Sequence, residues 1–223
     1  MSHDATMTDE LNAIQKESKL RLPADVLETF ASDQKELDAD GVPDTVAKVG
    51  TAVPDATLIS ATGTPVTLRE VQGERPAVIV FYRGAWCPYC NVALRSYQSA
   101  LEPALSERGA ALIAVSPQTP DGSLSMKEKN ELTFPVLSDP GNVLARSLGI
   151  IAPPSPRTRA AQLKLGLDVG ALNIESDADL PMPTVLIVDK SGTIRWIDVH
   201  PNYTTRSEPR DILDAFESTI DAK

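Results

Sequence analysis

The chain is expected to fold as an α/β domain, a mixed central sheet flanked by helices, with a helical extension at its N-terminal end. Three observations predict this. Ala77-Val78-Ile79-Val80-Phe81-Tyr82, rich in β-branched and aromatic residues, reads as a buried strand that runs straight into a helix opened by Pro88. A second apolar strand is expected at 111–115, after that helix. The closing third then supplies a hairpin, with residues 184–189 and 193–199 joined through Lys190-Ser191-Gly192, and a last helix from Glu208-Pro209 to about residue 220. Strand, helix, strand, helix, hairpin and helix together describe a mixed sheet covered on both faces.

Taken in order, residues 1–45 form the extension. Helical character appears at 11–19 and again at 24–37, where Pro23 opens the second segment. Val26, Leu27, Phe30 and Leu37 make one apolar stripe, which points to packing against the domain or against a partner copy in a homodimer. Gly41-Val42-Pro43 ends the extension, and the main domain is expected over 46–223. Residues 57–68, with Thr62-Gly63 between alternating runs, read as a hairpin. The helix after Pro88 repeats Leu94, Tyr97, Leu101 and Leu105 at helical spacing, and Pro103 is expected to kink or end it near Glu102. A Ser/Pro/Gly-rich turn to Ser125, a short helix at 126–131, a strand at Val136-Leu137 and a helix at 142–148 follow. Residues 151–180, with Pro153, Pro154 and Pro156, read as an insertion.

With 223 residues the chain suits a single core with additions. Lys and Arg number 21 against 31 Asp and Glu, so the net charge is −10, and no basic cluster offsets it. That argues against nucleic-acid or anionic-membrane partners. No apolar stretch reaches the length of a bilayer span, and the opening residues lack a signal-peptide core, so a cytoplasmic location is expected. Asn202-Tyr203-Thr204 matches a glycosylation acceptor by chance.

The chemistry sits in Trp86-Cys87-Pro88-Tyr89-Cys90, which holds the only two cysteines. At a helix N-terminus, unpaired N–H groups and the positive end of the dipole favour a thiolate, so a lowered pKa is expected at Cys87. Cys90, one turn on, is placed to resolve a sulfenate or mixed disulfide on Cys87. Zinc is disfavoured, because a closed site needs four ligands and the only histidines are His3 and His200. Two structural core thiols remain the bland alternative.

Those residues, with Ile113-Ala114-Val115-Ser116-Pro117-Gln118, Val136-Leu137-Ser138-Asp139-Pro140 and Met182-Pro183-Thr184, resemble the thioredoxin-fold superfamily. Within it the chain looks like the peroxiredoxin-like proteins of the alkyl hydroperoxide reductase and thiol-specific antioxidant type. The resemblance implies a thioredoxin-like fold and an antioxidant thiol peroxidase. A hydroperoxide would oxidise Cys87 to sulfenic acid, Cys90 would close a disulfide, and thioredoxin or another dithiol would restore both. Trp86 and Tyr89 would shape the rim, with Pro183 and Thr184 opposite. Pro183 would follow a cis peptide bond, turning backbone toward an extended substrate and keeping metal from the thiols. No metal, flavin or nucleotide cofactor is implied.

The chain also departs from that pattern. Peroxiredoxins place a Pro and then a Thr or Ser ahead of the peroxidatic cysteine; that frame puts the nucleophile at Cys90, with Cys87 in the Thr position, whereas the thioredoxin frame puts it at Cys87. The strand arginine that polarises peroxide is replaced by Pro183, leaving Arg83 as the substitute or as a solvated loop charge. Two other functions stay open: a reductase or isomerase of protein or glutathione disulfides, suggested by the Pro-Tyr dipeptide between the cysteines, and a non-enzymatic redox sensor.

Overall fold

The computed structural model describes residues 6–176 and 178–221, so His3 lies outside the described residues. Two helices come first, α1 (Met7–Arg21) and α2 (Ala24–Asp40). Thr6 caps α1 through a reciprocal box with Asp9, which satisfies amides that the first turn leaves open. The hairpin of β1 (Thr57–Ser60) and β2 (Pro65–Thr67) follows, then α3 (Leu68–Gln72) and β3 (Ala77–Phe81). From β3 the chain passes into α4 (Pro88–Ser96) and α5 (Glu102–Glu107), then β4 (Ala111–Ser116), α6 (Pro120–Lys129), β5 (Val136–Ser138) and α7 (Val143–Ser147). Residues 151–181 hold β6 (Ile151–Ala152), α8 (Pro156–Lys164), α9 (Val169–Leu172) and β7 (Leu180–Pro181). The hairpin of β8 (Thr184–Val188) and β9 (Ile194–Val199) and the helix α10 (Pro209–Phe216) close the fold.

The main sheet runs β2-β1-β5-β4-β3-β8-β9. β3 lies at its centre, parallel to β4 and antiparallel to β8. All five β3 residues are buried, as an apolar strand covered on both faces requires. The pleat sorts its side chains into two cores. Val78 and Val80 join Cys87, Cys90, Leu94, Tyr97, Ile212 and Phe216 on one face. Ala77, Ile79 and Phe81 join Leu68, Leu144 and Leu148 on the other. Burying Ile212 and Phe216 of α10 contributes about 1.5–3 kcal/mol each and fixes that helix over the thiol-bearing face.

Several expectations need correction. Pro103 does not end its helix: a widened turn over Tyr97–Leu101, in which the Glu102 amide donates to the Tyr97 carbonyl, carries the chain into α5. α6 begins at Pro120, not near residue 126, because Thr119 and Pro120 provide an N-terminus inside the stretch read as a turn. Segment 151–181, read as an insertion, carries regular elements of its own. Its α8 packs on α2, with Lys164 2.6 Å from Asp25 and Arg157 3.3 Å from Glu36, so α2 finds a partner within the chain. These exposed pairs orient the helices more than they stabilise them.

No cis peptide bond occurs among the described residues, so the cis form expected at Met182-Pro183 is overturned. The trans backbone is held on both sides: the Met182 amide donates to the Ile150 carbonyl at 2.7 Å, and the His200 amide donates to the Pro183 carbonyl at 2.8 Å. Pro183 simply leads into β8, where a missing N–H is harmless.

Gly149 joins the α7 end to Ile150 at φ +70°, and a Cβ there would run into the Thr45 carbonyl. Gly149→Ala is expected to lower stability by about 2 kcal/mol or more through the strained backbone and that collision, read as a reduced urea midpoint with unchanged slope.

Candidate active site

Cys87 is the N-cap of α4, and Pro88 occupies the first helical position, as the sequence predicts. Its carbonyl accepts from the amides of Cys90 and Asn91 at 3.1 and 3.2 Å, and from the Asn91 side chain at 2.9 Å. Asn91 also donates to the Ala85 carbonyl at 2.8 Å and accepts from Asn130 at 2.9 Å. The turn carrying the first thiol is thus tied to α4 and α6. On its other side the Ala85 amide donates to Gln118 at 2.5 Å. Gly84 permits that approach, since a Cβ there would lie 2.5 Å from the Trp86 indole nitrogen and 2.9 Å from Gln118.

Both thiols are free and buried, with exposures of 1 % for Cys87 and 0 % for Cys90. Their electrostatics diverge. Burial pushes the Cys87 thiol well above its ordinary value, and its hydrogen bond to Cys90 raises it further, because donating that bond keeps the proton in place. Burial would raise Cys90 as well, but the Cys87 S–H, the Arg206 guanidinium and the Arg83 amide all favour its anion and hold it well below the usual thiol range. Arg206 donates to the Cys90 sulfur at 3.1 Å. The lowered pKa expected at Cys87 therefore falls on Cys90. The helix end does not discriminate, since both residues lie within the first turn; the donors do.

Arg206 escaped the sequence reading. It stands 116 residues from Cys90, in the strap between β9 and α10, and no local motif marks it. Only 8 % of it is exposed, and its other donors reach the Tyr203 carbonyl at 2.7 Å and the Thr205 carbonyl at 2.5 Å. The strap is pinned from several sides. His200 Nδ1 pairs with Thr205 at 2.7 Å, the Ser207 hydroxyl donates to Asp198 at 2.7 Å, and the Tyr97 hydroxyl donates to the Ser207 carbonyl at 2.8 Å. Asp198 is held below the usual carboxylate range by its His200 hydrogen bond, against the opposing effect of burial.

Arg83 is no solvated charge. Its guanidinium lies 4.3 Å from the Tyr203 ring centre and 5.0 Å from that of Trp86, a cation held between two aromatic faces. Tyr89 meets Tyr203 edge to face at 6.1 Å, and burial raises its hydroxyl pKa to about 12. Trp86, Tyr89 and Arg83 thus gather around the thiols. Thr184 does not. It belongs to the register of Leu186 and Val188, whose side chains fill the opposite core, and its hydroxyl donates to the Met182 carbonyl at 2.8 Å. Among the described residues no group of three or more His, Cys, Asp or Glu side chains is placed to hold a metal.

The model of the AhpC/TSA family matches residues 49–197, two thirds of the chain. The chain belongs to the AhpC/TSA family. It is 25% identical over 165 residues to the chloroplastic peroxiredoxin Q of Gentiana triflora, covering 74% of this chain and 63% of that protein. It is 31% identical over 148 residues to the chloroplastic peroxiredoxin Q of Oryza sativa subsp. japonica, covering 66% and 57%. The chain thus spans about three fifths of the length of these relatives. Its fold is that of the peroxidoxin BcpB crystal structure from Mycobacterium tuberculosis, with a TM-score of 0.58 at 18% identity over 79% of this chain and 98% of that one. This is the thioredoxin-like architecture the sequence predicts. The family match begins at residue 49, after α1 and α2.

Arg206→Met is expected to raise the Cys90 pKa by about one unit or more, about 1.4 kcal/mol, so that alkylation by iodoacetamide slows about tenfold on the low-pH limb, where the thiolate is the minor form. Because loss of the cation disfavours the anion, the pH at which alkylation reaches half its maximum moves upward. Stopped-assay alkylation across pH 5–10 followed by mass spectrometry checks this (a window of about five units around the ordinary thiol pKa).

Proposed function

We propose that the chain is a thiol peroxidase that reduces hydroperoxides through a Cys90/Cys87 dithiol–disulfide cycle. The observation that carries this reading is the Arg206 guanidinium 3.1 Å from one buried sulfur, Cys90, with the second buried thiol, Cys87, one turn away. The Cys90 thiolate attacks the terminal peroxide oxygen, the O–O bond breaks, and the sulfur becomes sulfenic acid while the departing alkoxide or hydroxide takes up a proton. The Arg206 guanidinium stands beside the reacting sulfur, where negative charge shifts from sulfur to oxygen, and stabilises it there. Cys87 then attacks the sulfenic sulfur; an S–S bond forms and water leaves, carrying the Cys87 proton. A dithiol such as thioredoxin returns two electrons and two protons, and this external reductant is the partner the cycle needs.

The roles follow the peroxiredoxin frame of the sequence rather than the thioredoxin frame. Cys87 in the Thr position serves as donor to the nucleophile and then as its resolver. Arg206, reaching in from the strap before α10, fills the place of the strand arginine that Pro183 lacks.

Single serine replacements test the assignment. Cys87→Ser is expected to keep one rapid turnover of peroxide, with sulfenate trapped on Cys90, and to lose recycling by thioredoxin. Cys90→Ser is expected to slow peroxide consumption by about 10³-fold or more, as loss of a nucleophile does. Rapid sulfenate formation on Cys87 in the Cys90→Ser protein would reverse the roles, and insulin reduction without peroxide turnover in the native protein would favour a disulfide reductase.

A further inference from the structure

Cys90 cannot be reached from solvent directly: both sulfurs are buried, and α1 lies across α4 with Met7 and Leu11 in the same apolar cluster as the thiols. α1 is fastened there. The Thr8 amide and hydroxyl donate to Glu208 at 2.8 and 2.5 Å, and Arg95 pairs with Glu10 at 3.2 Å. Between α1 and the strap lies a cavity of about 80 Å³, lined by Thr8, Leu11, Asn12 and Gln15 on one side and by Thr204, Thr205 and Arg206 on the other. Arg206 is shared. It lines this cavity and donates to the Cys90 sulfur.

We propose that this cavity is the entry for peroxide and that α1 acts as a size filter, which makes the substrate a small polar hydroperoxide such as hydrogen peroxide. The inference rests on the peroxidase reading and names its substrate class. At roughly 10–15 Å³ per water-sized group, the space takes about five to eight such groups, enough for hydrogen peroxide and its hydration but not for a fatty-acid chain. Its lining agrees with that. The hydroxyl oxygens of Thr8, Thr204 and Thr205, whose own protons go to Glu208 and Asn202, keep lone pairs that accept from a peroxide O–H, and Asn12 and Gln15 narrow the mouth; an alkyl tail would find Leu11 as its one apolar neighbour among the lining residues. The larger groove of about 840 Å³, bordered by Arg95, Ser99, Arg210 and Glu217, would admit such a tail, but it is lined by neither cysteine nor by Arg206. Asn12 and Gln15, exposed on α1 at the mouth of the cavity, are thus specificity-determining residues that take no part in the chemistry.

Rapid-mixing rates with hydrogen peroxide and with linoleic acid hydroperoxide test this on the full chain, using the native protein, Asn12→Ala/Gln15→Ala and Gln15→Trp. The native protein should favour hydrogen peroxide about tenfold or more. Trimming both side chains should raise the fatty-acid hydroperoxide rate about tenfold and leave the hydrogen peroxide rate within about twofold, while Gln15→Trp should slow hydrogen peroxide about tenfold with unchanged circular dichroism. Equal native rates, or variants that move both substrates in parallel, would overturn the filter and leave the peroxidase reading intact. Consumption of neither peroxide would overturn that reading instead, and the filter would then stand or fall on alkylation of Cys90: iodoacetamide fast and fluorescein maleimide slow supports it, and equal rates overturn it.

Discussion

One buried contact organises this protein: the Arg206 guanidinium against the Cys90 sulfur at 3.1 Å. A guanidinium and a thiolate each lose hydration on burial, and neither is tolerable alone in an apolar core. Together, with the Arg83 amide and the Cys87 S–H completing the set around the sulfur, they are. Much of the surrounding structure keeps this pair in register. Tyr97, His200, Asp198 and Ser207 hold the strap, α10 anchors its far end, and the central strand delivers the cysteine turn to the same face of the sheet.

The pair also explains why two cysteines one turn apart behave differently. A shared site does not tolerate two adjacent negative charges, so ionising one thiol holds the proton on the other. The arginine decides which. Because the strap approaches from the side of Cys90, that sulfur takes the charge, and Cys87 is left protonated and adjacent, the state a resolving thiol needs. Trp86 and Tyr203 carry a different duty, flanking Arg83 so that a second cation stays near the site.

What the sequence made legible was local. Apolar runs, Pro88 at a helix start and Gly192 in the last hairpin each encode their own element, and the Cys-x-x-Cys spacing marked the buried thiol pair directly. What it hid was long-range or depended on a single register step. Arg206 reaches the site only because β9 and α10 are joined by a strap folded back over the thiols, a tertiary fact with no periodic trace. Thr184 looked like a site residue from its place beside Pro183, yet the pleat turns it to the far face. The expectation of a lowered Cys87 pKa used a sound rule, the helix N-terminus, but burial and the adjacent Cys90 sulfur outweigh it.

Thiolate absorbance near 240 nm, titrated in Cys87→Ser and Cys90→Ser, tests this account most directly, because serine at 87 still offers a hydroxyl donor. The account predicts an anion persisting well below the ordinary thiol range in Cys87→Ser, and in Cys90→Ser a thiol that ionises only above that range, which lies at about 8.5. A low-pH thiolate surviving in Cys90→Ser and vanishing in Cys87→Ser would contradict it.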